Sequence, residues 1–376
     1  MATKGTVVLY FSRLGAPLRA HQKALLKADA KAIARLKQYY FEEQYDALKH
    51  YASPIYFVPD DTLLLDEAQS LGIQSPKDLY GGVVPYPFVK TKSITHPLVG
   101  ETADQPGGWS FQFADRVRNI VLPGYTVFGF NDARVAAERV LPHGPIRIKR
   151  STEAGGRGQT LIATVEELEA VLEEMSTDEI ANYGLVLEEN LDQVTTLSIG
   201  HIIFDNIRFT YHGRQTVTTD NDGQPTYGGS DLVCVRGAWD ALDHVPMSNE
   251  TRIAVNQARL YDHAMSDYRG FIASRRNYDV GQGLDHQGRQ RSAVFEASWR
   301  VGGATGAELM ALTQFARDHS VQVVETSHVE EFGRNHEPPP GAVIHFQGDD
   351  PQVGPMIRYT VLRRTERKTL GTSNDV

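Results

Sequence analysis

An acid at the end of an apolar strand, followed at once by a cation and paired glycines, limits the folds open to this chain, because these parts must meet at the open end of a sheet. The combination occurs at residues 295–303, FEASWRVGG, where Glu296 closes the apolar run and Arg300, Gly302 and Gly303 follow. The grouping suits a metal-bound phosphate. Two upstream segments add to it: Lys149 ends the strand-like GPIRIK, and residues 154–159, AGGRGQ, make a glycine-rich loop.

Composition sets the class. With 376 residues, 41% of them hydrophobic, the chain can bury a substantial core in two or three compact units. Its 38 basic and 47 acidic residues give a net charge of -9, which argues against a nucleic-acid binder relying on phosphate neutralisation. The single cysteine, Cys234, excludes an intrachain disulfide and fits a reducing compartment. No N-terminal signal-like segment and no bilayer-spanning apolar run is present, so the expectation is a soluble, cytoplasmic protein without membrane partners.

The pattern along the chain is that of an α/β protein. A strand, TVVLYF, precedes a helix expected from about Pro17 to Tyr39, with Lys23, Lys27 and Lys31 on a solvated face. Short apolar runs then alternate with a helical stretch at DDTLLLDEAQSLG up to Phe130. Residues 91–108 are rich in turn formers and read as a long loop; Lys92 and His96 within it face a substrate or serve as ordinary surface and structural residues. Asp132 is the expected N-cap of the helix NDARVAAERVL.

The loop containing Gly155, Gly156, Arg157 and Gly158 lets backbone approach phosphate oxygens, and Arg157 adds charge. It lacks the lysine and hydroxyl of a P-loop and no Rossmann spacing follows. The segment reads instead as a flap between antiparallel strands, GPIRIKRS and QTLIAT. A helix, VEELEAVLEEM, leads to the strand GLVLEENL, where Glu188 and Glu189 either meet a nucleotide base and ribose or are simply solvated. Hairpin-like strands follow, with turns expected at residues 220–223 and 227–232. Asp279 and Glu296 likewise have two readings, as metal ligands or as partners of Arg275, Arg276 or Arg300 in salt bridges. Together, the 295–303 stretch, Lys149 and the glycine loop read as an ATP site.

That order resembles the ATP-grasp superfamily over residues 132–303, and the chain as a whole resembles an uncharacterised bacterial ATP-grasp family described only as a domain of unknown function. The resemblance implies an ATP-grasp fold, α/β overall with an α+β grasp core. It further implies an α/β unit at 1–130, a grasp unit of two subdomains enclosing the nucleotide at 131–320, and C-terminal strands with a flexible tail at 321–376. Lys149 and Gly155, Gly156, Arg157 and Gly158 match the nucleotide-contacting lysine and phosphate-covering loop. Glu188 and Glu189 fall at the adenine hinge, Asp279 and Glu296 match the two acidic metal ligands, and Arg300 matches the arginine facing the terminal phosphate or an acyl phosphate. ATP and Mg2+, with Mn2+ as a substitute, are the implied cofactors. Two positions depart from the pattern. Ser298 replaces the usual asparagine as a shorter neutral metal ligand, and Thr195 or Thr196 stands where a ribose-binding glutamate is common.

The activity implied is an ADP-forming ligase that activates a carboxylate as an acyl phosphate for attack by an amine or another nucleophile, on small-molecule substrates. Alternatives are a small-molecule kinase and a nucleotide-binding regulatory or scaffold protein with little turnover. Candidate acceptor-lining positions are Tyr227 to Asp231, Asn256, Arg259, Tyr261 and Arg276, and a homodimer is what the resemblance implies for assembly.

Overall fold

The computed structural model describes residues 4–13, 15, 17–151 and 158–368. The N-terminal part holds β1 (Thr6–Tyr10), α1 (Ala20–Lys37), β2 (Tyr40–Glu42), β3 (Ile55–Pro59), β4 (Leu63–Leu64), α2 (Leu65–Ser70), β5 (Gly82–Val84) and α3 (Phe111–Val117). β1 lies between β2 and β3, parallel to both. Its central residues Val7 and Val8 are fully buried, as expected of a parallel strand covered on both faces. The helical stretch expected around residues 60–72 is shorter than its sequence suggested, since Leu63 and Leu64 pair as β4 before α2 starts.

A second sheet follows from β6 (Gly124–Val127), α4 (Phe130–Val140), β7 (Ile146–Arg150), β8 (Gln159–Ile162), α5 (Val165–Glu173), α6 (Thr177–Tyr183) and β9 (Leu185–Glu189). Its strand order is β6-β9-β7-β8, antiparallel at each ladder. β6 precedes residue 131, so this sheet begins before the boundary expected there. Helix α4 is not capped by Asp132: Gly129 is the N-cap, and Asp132 sits in the first turn, its Oδ2 accepting from the Asp104 N–H. An acid there still favours the positive helix end. Helix α5 carries the capping box its sequence encodes, with Thr164 and Glu167 each bonded to the other's backbone N–H. One buried cluster, with Ala133, Ala137, Ile146, Leu168 and Leu187, packs α4 and α5 onto this sheet.

The third layer is an eight-stranded sheet. It contains β10 (Asp192–Phe204), β11 (Ile207–Thr219), β12 (Pro225–Arg236), β14 (Arg275–Leu284), β15 (Gln290–Ser298), β16 (Val321–Phe332), β17 (Val343–Asp350) and β18 (Gly354–Arg367). Between these lie α7 (Asn249–Ala264), β13 (Ile272–Ala273), which pairs with β5, and α8 (Thr305–Arg317). The order is β15-β14-β10-β11-β12-β16-β18-β17, so the C-terminal strands extend the same sheet. β18 runs through Glu366 and Arg367, and the tail beyond Lys368 lies outside the described residues.

Alternation on the long strands separates two faces. Leu197, Ile199, Tyr278 and Val280 turn toward α7 and join a cluster with Val255, Ala258 and Tyr261. Tyr211, Leu232, Cys234 and Val324 pack with α1 and α8. Residues 227–232, expected as a tight turn, run inside β12; a register shift falls between Thr216 and Val217 of β11, and the 220–223 turn is where expected. Gly229 at φ 138° allows the bulge: a Cβ there would lie 2.1 Å from the His328 carbonyl oxygen.

Candidate functional site

The acidic pair stands on one ladder. Asp279 of β14 is directly opposite Glu296 of β15, and Asn277 is opposite Ser298. Directly opposite residues share a face with Cβ atoms about 4.5–5.5 Å apart. Three donors converge on Asp279 Oδ1: Gln215 Nε2 at 2.8 Å, Asn277 Nδ2 at 2.9 Å and Ser198 Oγ at 3.4 Å. Burial, with the Glu296 charge adding to it, nevertheless pushes the Asp279 carboxyl up to about 6. Two carboxylates brought face to face in a buried setting make a place where a cation is stabilised.

A register shift between Asp279 and Val280 makes Phe295 the extra residue of β15. The Phe295 ring lies against Gly281, where a Cβ would be 2.0 Å from a ring carbon. Lys149 Nζ also lies over it, 4.6 Å from the ring centroid. The bulge therefore aims Glu296 at Asp279 and Phe295 at the lysine of the other sheet.

On the four-stranded sheet, Lys149 and Glu188 are diagonal neighbours on β7 and β9. Lys149 Nζ is 2.5 Å from Glu188 Oε1, and His96 Nε2 donates to Glu188 Oε2 at 2.8 Å. All three side chains are buried. Burial raises the Glu188 carboxyl, but the Lys149 charge and the His96 hydrogen bond outweigh it and bring it down to about 2. Glu188 is thus engaged in a buried ion pair and is not solvated. Glu189 closes β9 where the chain crosses to the eight-stranded sheet, with its Oε2 3.3 Å from Arg291 Nη2. Asn190, at the crossing, accepts from Arg147 Nη2 at 2.6 Å.

The 91–108 segment is not a plain loop. Lys92–Ile94 forms a short 3-10 turn, with Thr91 Oγ1 accepting from the Ser93 N–H. Lys92 Nζ lies 3.8 Å from Glu296 Oε2, while His96 reaches Glu188, so the segment touches both sheets at their carboxylates. Ser93 ties it down further, contacting the Ser151 hydroxyl and donating to the Tyr183 carbonyl at 2.5 Å.

Arg300 is half-buried beyond the acidic pair; its Nη1 donates to the Val301 carbonyl at 3.0 Å, and no carboxylate lies within ion-pair distance among the described residues. The salt bridges offered as the alternative for the acidic pair go elsewhere, Arg275 to Glu308 and Arg276 to Asp262. Gly158, at φ 63°, directly precedes β8, its carbonyl accepting from the Arg150 N–H. Gly155, Gly156 and Arg157 lie outside the described residues.

Several acceptor candidates are committed to structural contacts. Arg259 is held by Asp243, Tyr261 lies in the core beside Tyr278, and Asn256 is exposed on α7. Tyr227 keeps a site-facing environment, its hydroxyl 2.7 Å from Ser230 Oγ and its ring against Gly303. Sequence reasoning missed Gln215 and Asn277. Asn277 had a usable signal, since a residue two before Asp279 on a strand shares its face.

A cation at the acidic pair would find two carboxylates and the Ser298 hydroxyl. Among the described residues no group of three His, Cys, Asp or Glu side chains gathers into a metal site. The set fits Mg2+, a hard cation that keeps waters and takes one or two carboxylates together with phosphate oxygens.

Comparison with solved structures places the architecture. Carboxyaminoimidazole ribonucleotide synthase from Aspergillus clavatus, complexed with ATP, is similar at TM-score 0.51 and 11% identity, over 96% of this chain and 94% of that one. N5-carboxyaminoimidazole synthetase from Staphylococcus aureus, complexed with ADP, is similar at TM-score 0.50 and 12% identity, over 97% and 94%. Biotin carboxylase from Campylobacter jejuni is similar at TM-score 0.50 and 11% identity, over 96% and 88%. The shared architecture is the ATP-grasp fold. A search of curated proteins returns no match. The chain belongs to the family described as "Protein of unknown function (DUF3182)", whose profile matches residues 10–360.

Proposed function

We propose that this protein is an ATP- and Mg2+-dependent ligase that activates a small-molecule carboxylate as an acyl phosphate and passes the acyl group to an amine or another nucleophile, releasing ADP and phosphate. The observation that carries this reading is the Asp279–Glu296 pair opposite one another on β14 and β15, with Lys149 approaching from the other sheet across Phe295. The similar solved enzymes include a carboxylase and carboxyaminoimidazole synthetases, two of them in complexes with ATP or ADP, which supports this class of chemistry.

In this reading Asp279, Glu296 and Ser298 would hold Mg2+, with Mn2+ as a substitute, and the bound ion would supply charge neutralisation at the terminal phosphates. Lys149 and the Gly155, Gly156, Arg157 and Gly158 loop hold the triphosphate, and Glu188 and Glu189 lie along the base and ribose. Arg300, which has no carboxylate partner among the described residues, faces the transferred phosphoryl group and steadies the acyl phosphate. No covalent enzyme nucleophile is needed. The partners are a carboxylate and an amine rather than nucleic acid or membrane; no described helix is long and apolar enough to cross a bilayer. A cytoplasmic homodimer divided at about residues 130 and 320 completes the proposal.

The Lys149–Glu188 ion pair favours a second reading. A lysine already neutralised at 2.5 Å gives less to a phosphate, as in a regulatory protein that binds nucleotide with little turnover. Thermal stabilisation by ATP with and without Mg2+ is the first test, followed by ADP release in pools of carboxylates and amines. Stoichiometric ADP, phosphate and condensed product support the ligase; a stable phosphorylated product means a kinase, and binding without turnover means the regulatory reading.

A further inference from the structure

Behind the acidic pair runs a chain of buried polar groups organised by one carboxylate. Glu308, in the first turn of α8, is fully buried. Its Oε1 accepts from the Tyr211 hydroxyl at 2.6 Å and Arg275 Nη2 at 2.9 Å; its Oε2 accepts from Arg275 Nε at 2.8 Å and the Tyr80 hydroxyl at 3.0 Å. A guanidinium in two-point contact plus two phenols satisfies a buried carboxylate.

Two arms lead from Glu308 to the site. In the first, the single Tyr211 hydroxyl proton is shared between Glu308 Oε1 and Asn277 Oδ1, 2.8 Å away, and Asn277 Nδ2 donates to Asp279 Oδ1 at 2.9 Å. In the second, Arg275 Nη1 donates to the Arg300 carbonyl, fixing the backbone of the residue that faces the phosphoryl group. The Tyr211 ring has no room to shift toward β10, since a Cβ on Gly200 would lie 2.2 Å from it. Tyr80 binds the same carboxylate, but among the described residues none of its hydrogen bonds leads onward to Asp279.

We infer that Glu308, which contacts neither Asp279 nor Glu296, is the positioning residue of the acidic half of the site, setting Asp279 through Tyr211 and Asn277 and Arg300 through Arg275. The inference rests on the metal and nucleotide reading above. Its consequence is that metal affinity depends on a phenol two hydrogen bonds away from the metal-binding carboxylate.

The test titrates Mn2+ in the presence of saturating ADP into the full-length protein and its Tyr211→Phe and Tyr80→Phe variants, following free Mn2+ by electron paramagnetic resonance. Metal-free ADP affinity and unfolding midpoints are measured on the same samples. Each variant removes one hydroxyl from the same buried carboxylate, so a merely structural role moves both alike. The expected result is a Mn2+ affinity weakened about tenfold in Tyr211→Phe, the scale of one lost hydrogen bond to a charged group, with Tyr80→Phe within about twofold of wild type and metal-free ADP binding unchanged in both. Equal Mn2+ affinity in all three proteins, or equal losses in the two variants, overturns the inference. If Tyr211→Phe does not fold, Asn277→Ala cuts the same arm nearer the site, and wild-type Mn2+ affinity there overturns it as well. Wild-type protein that binds no Mn2+ with ADP overturns the functional reading itself and this inference with it.

Discussion

Lys149 and Glu188 form a buried ion pair, 2.5 Å from Nζ to Oε1, between adjacent strands of the nucleotide-side sheet. Two residues with separate expected roles, a phosphate contact and a base contact, are thus one electrostatic unit. Removing one member leaves the other charged and buried. Lys149→Met is expected to cost about 3–5 kcal/mol of stability, and adding Glu188→Gln to recover part of it. Chemical denaturation of the two single variants and the double variant checks this; additive losses would contradict the pairing.

The same pair sets a pH dependence. The Glu188 carboxyl, ordinarily at 4.5, is lowered to about 2 in the folded chain, against its burial, by Lys149 and His96. The folded state therefore binds this proton less tightly than the unfolded state. The stabilisation is complete above about pH 4.5 and is lost as pH falls toward 2. Glu188→Gln should be less stable than wild type at pH 6 and should lose less on acidification. Unfolding midpoints taken from pH 6 down to pH 3 decide it, and parallel curves count against it.

Asp279 shifts the opposite way, up to about 6, chiefly through burial and secondarily through Glu296. Glu296→Gln removes the second cause only. Its Asp279 carboxyl should titrate below 6 yet still above the ordinary 3.8, read by carboxyl carbon NMR. The same variant should lose the Mg2+-dependent part of thermal stabilisation by ATP. A magnesium response equal to wild type would falsify the assignment of Glu296 as a metal ligand.

Gly281 is where the two sheets communicate through Phe295. A Cβ there meets the ring at 2.0 Å, so Gly281→Ala must push the ring aside. Overpacking of this kind costs about 1–3 kcal/mol, and the displaced ring no longer lies under Lys149. Weaker ATP affinity accompanying the lost stability is the expected outcome. A variant destabilised without any change in affinity would show that the Phe295 contact is structural only.

The local elements were legible because each is written in short-range signals. Thr164 and Glu167 encode the capping box of α5, the apolar run TVVLY gives β1, and GPIRIK with QTLIAT give the antiparallel β7–β8 pair. The order of lysine, paired glutamates, aspartate and glutamate along the chain was sufficient to indicate the fold. Short-range signals misled where neighbours override them: YGGSDL became strand because β16 hydrogen-bonds to it, and Gly129 rather than Asp132 capped α4.

What only the tertiary structure decided is which side chains neutralise one another. Lys149 and Glu188 are separated by 39 positions, Glu308 and Tyr211 by 97. Asn277 stands directly across the ladder from Ser298, a neighbour visible only once β14 and β15 are in register. Sequence by itself determined the kinds of residue available and the periodicity that sends them to one face of a strand. Pairing depends on strand register and on burial, which convert a weak surface attraction into a strong interaction only after the sheets have closed and water has left.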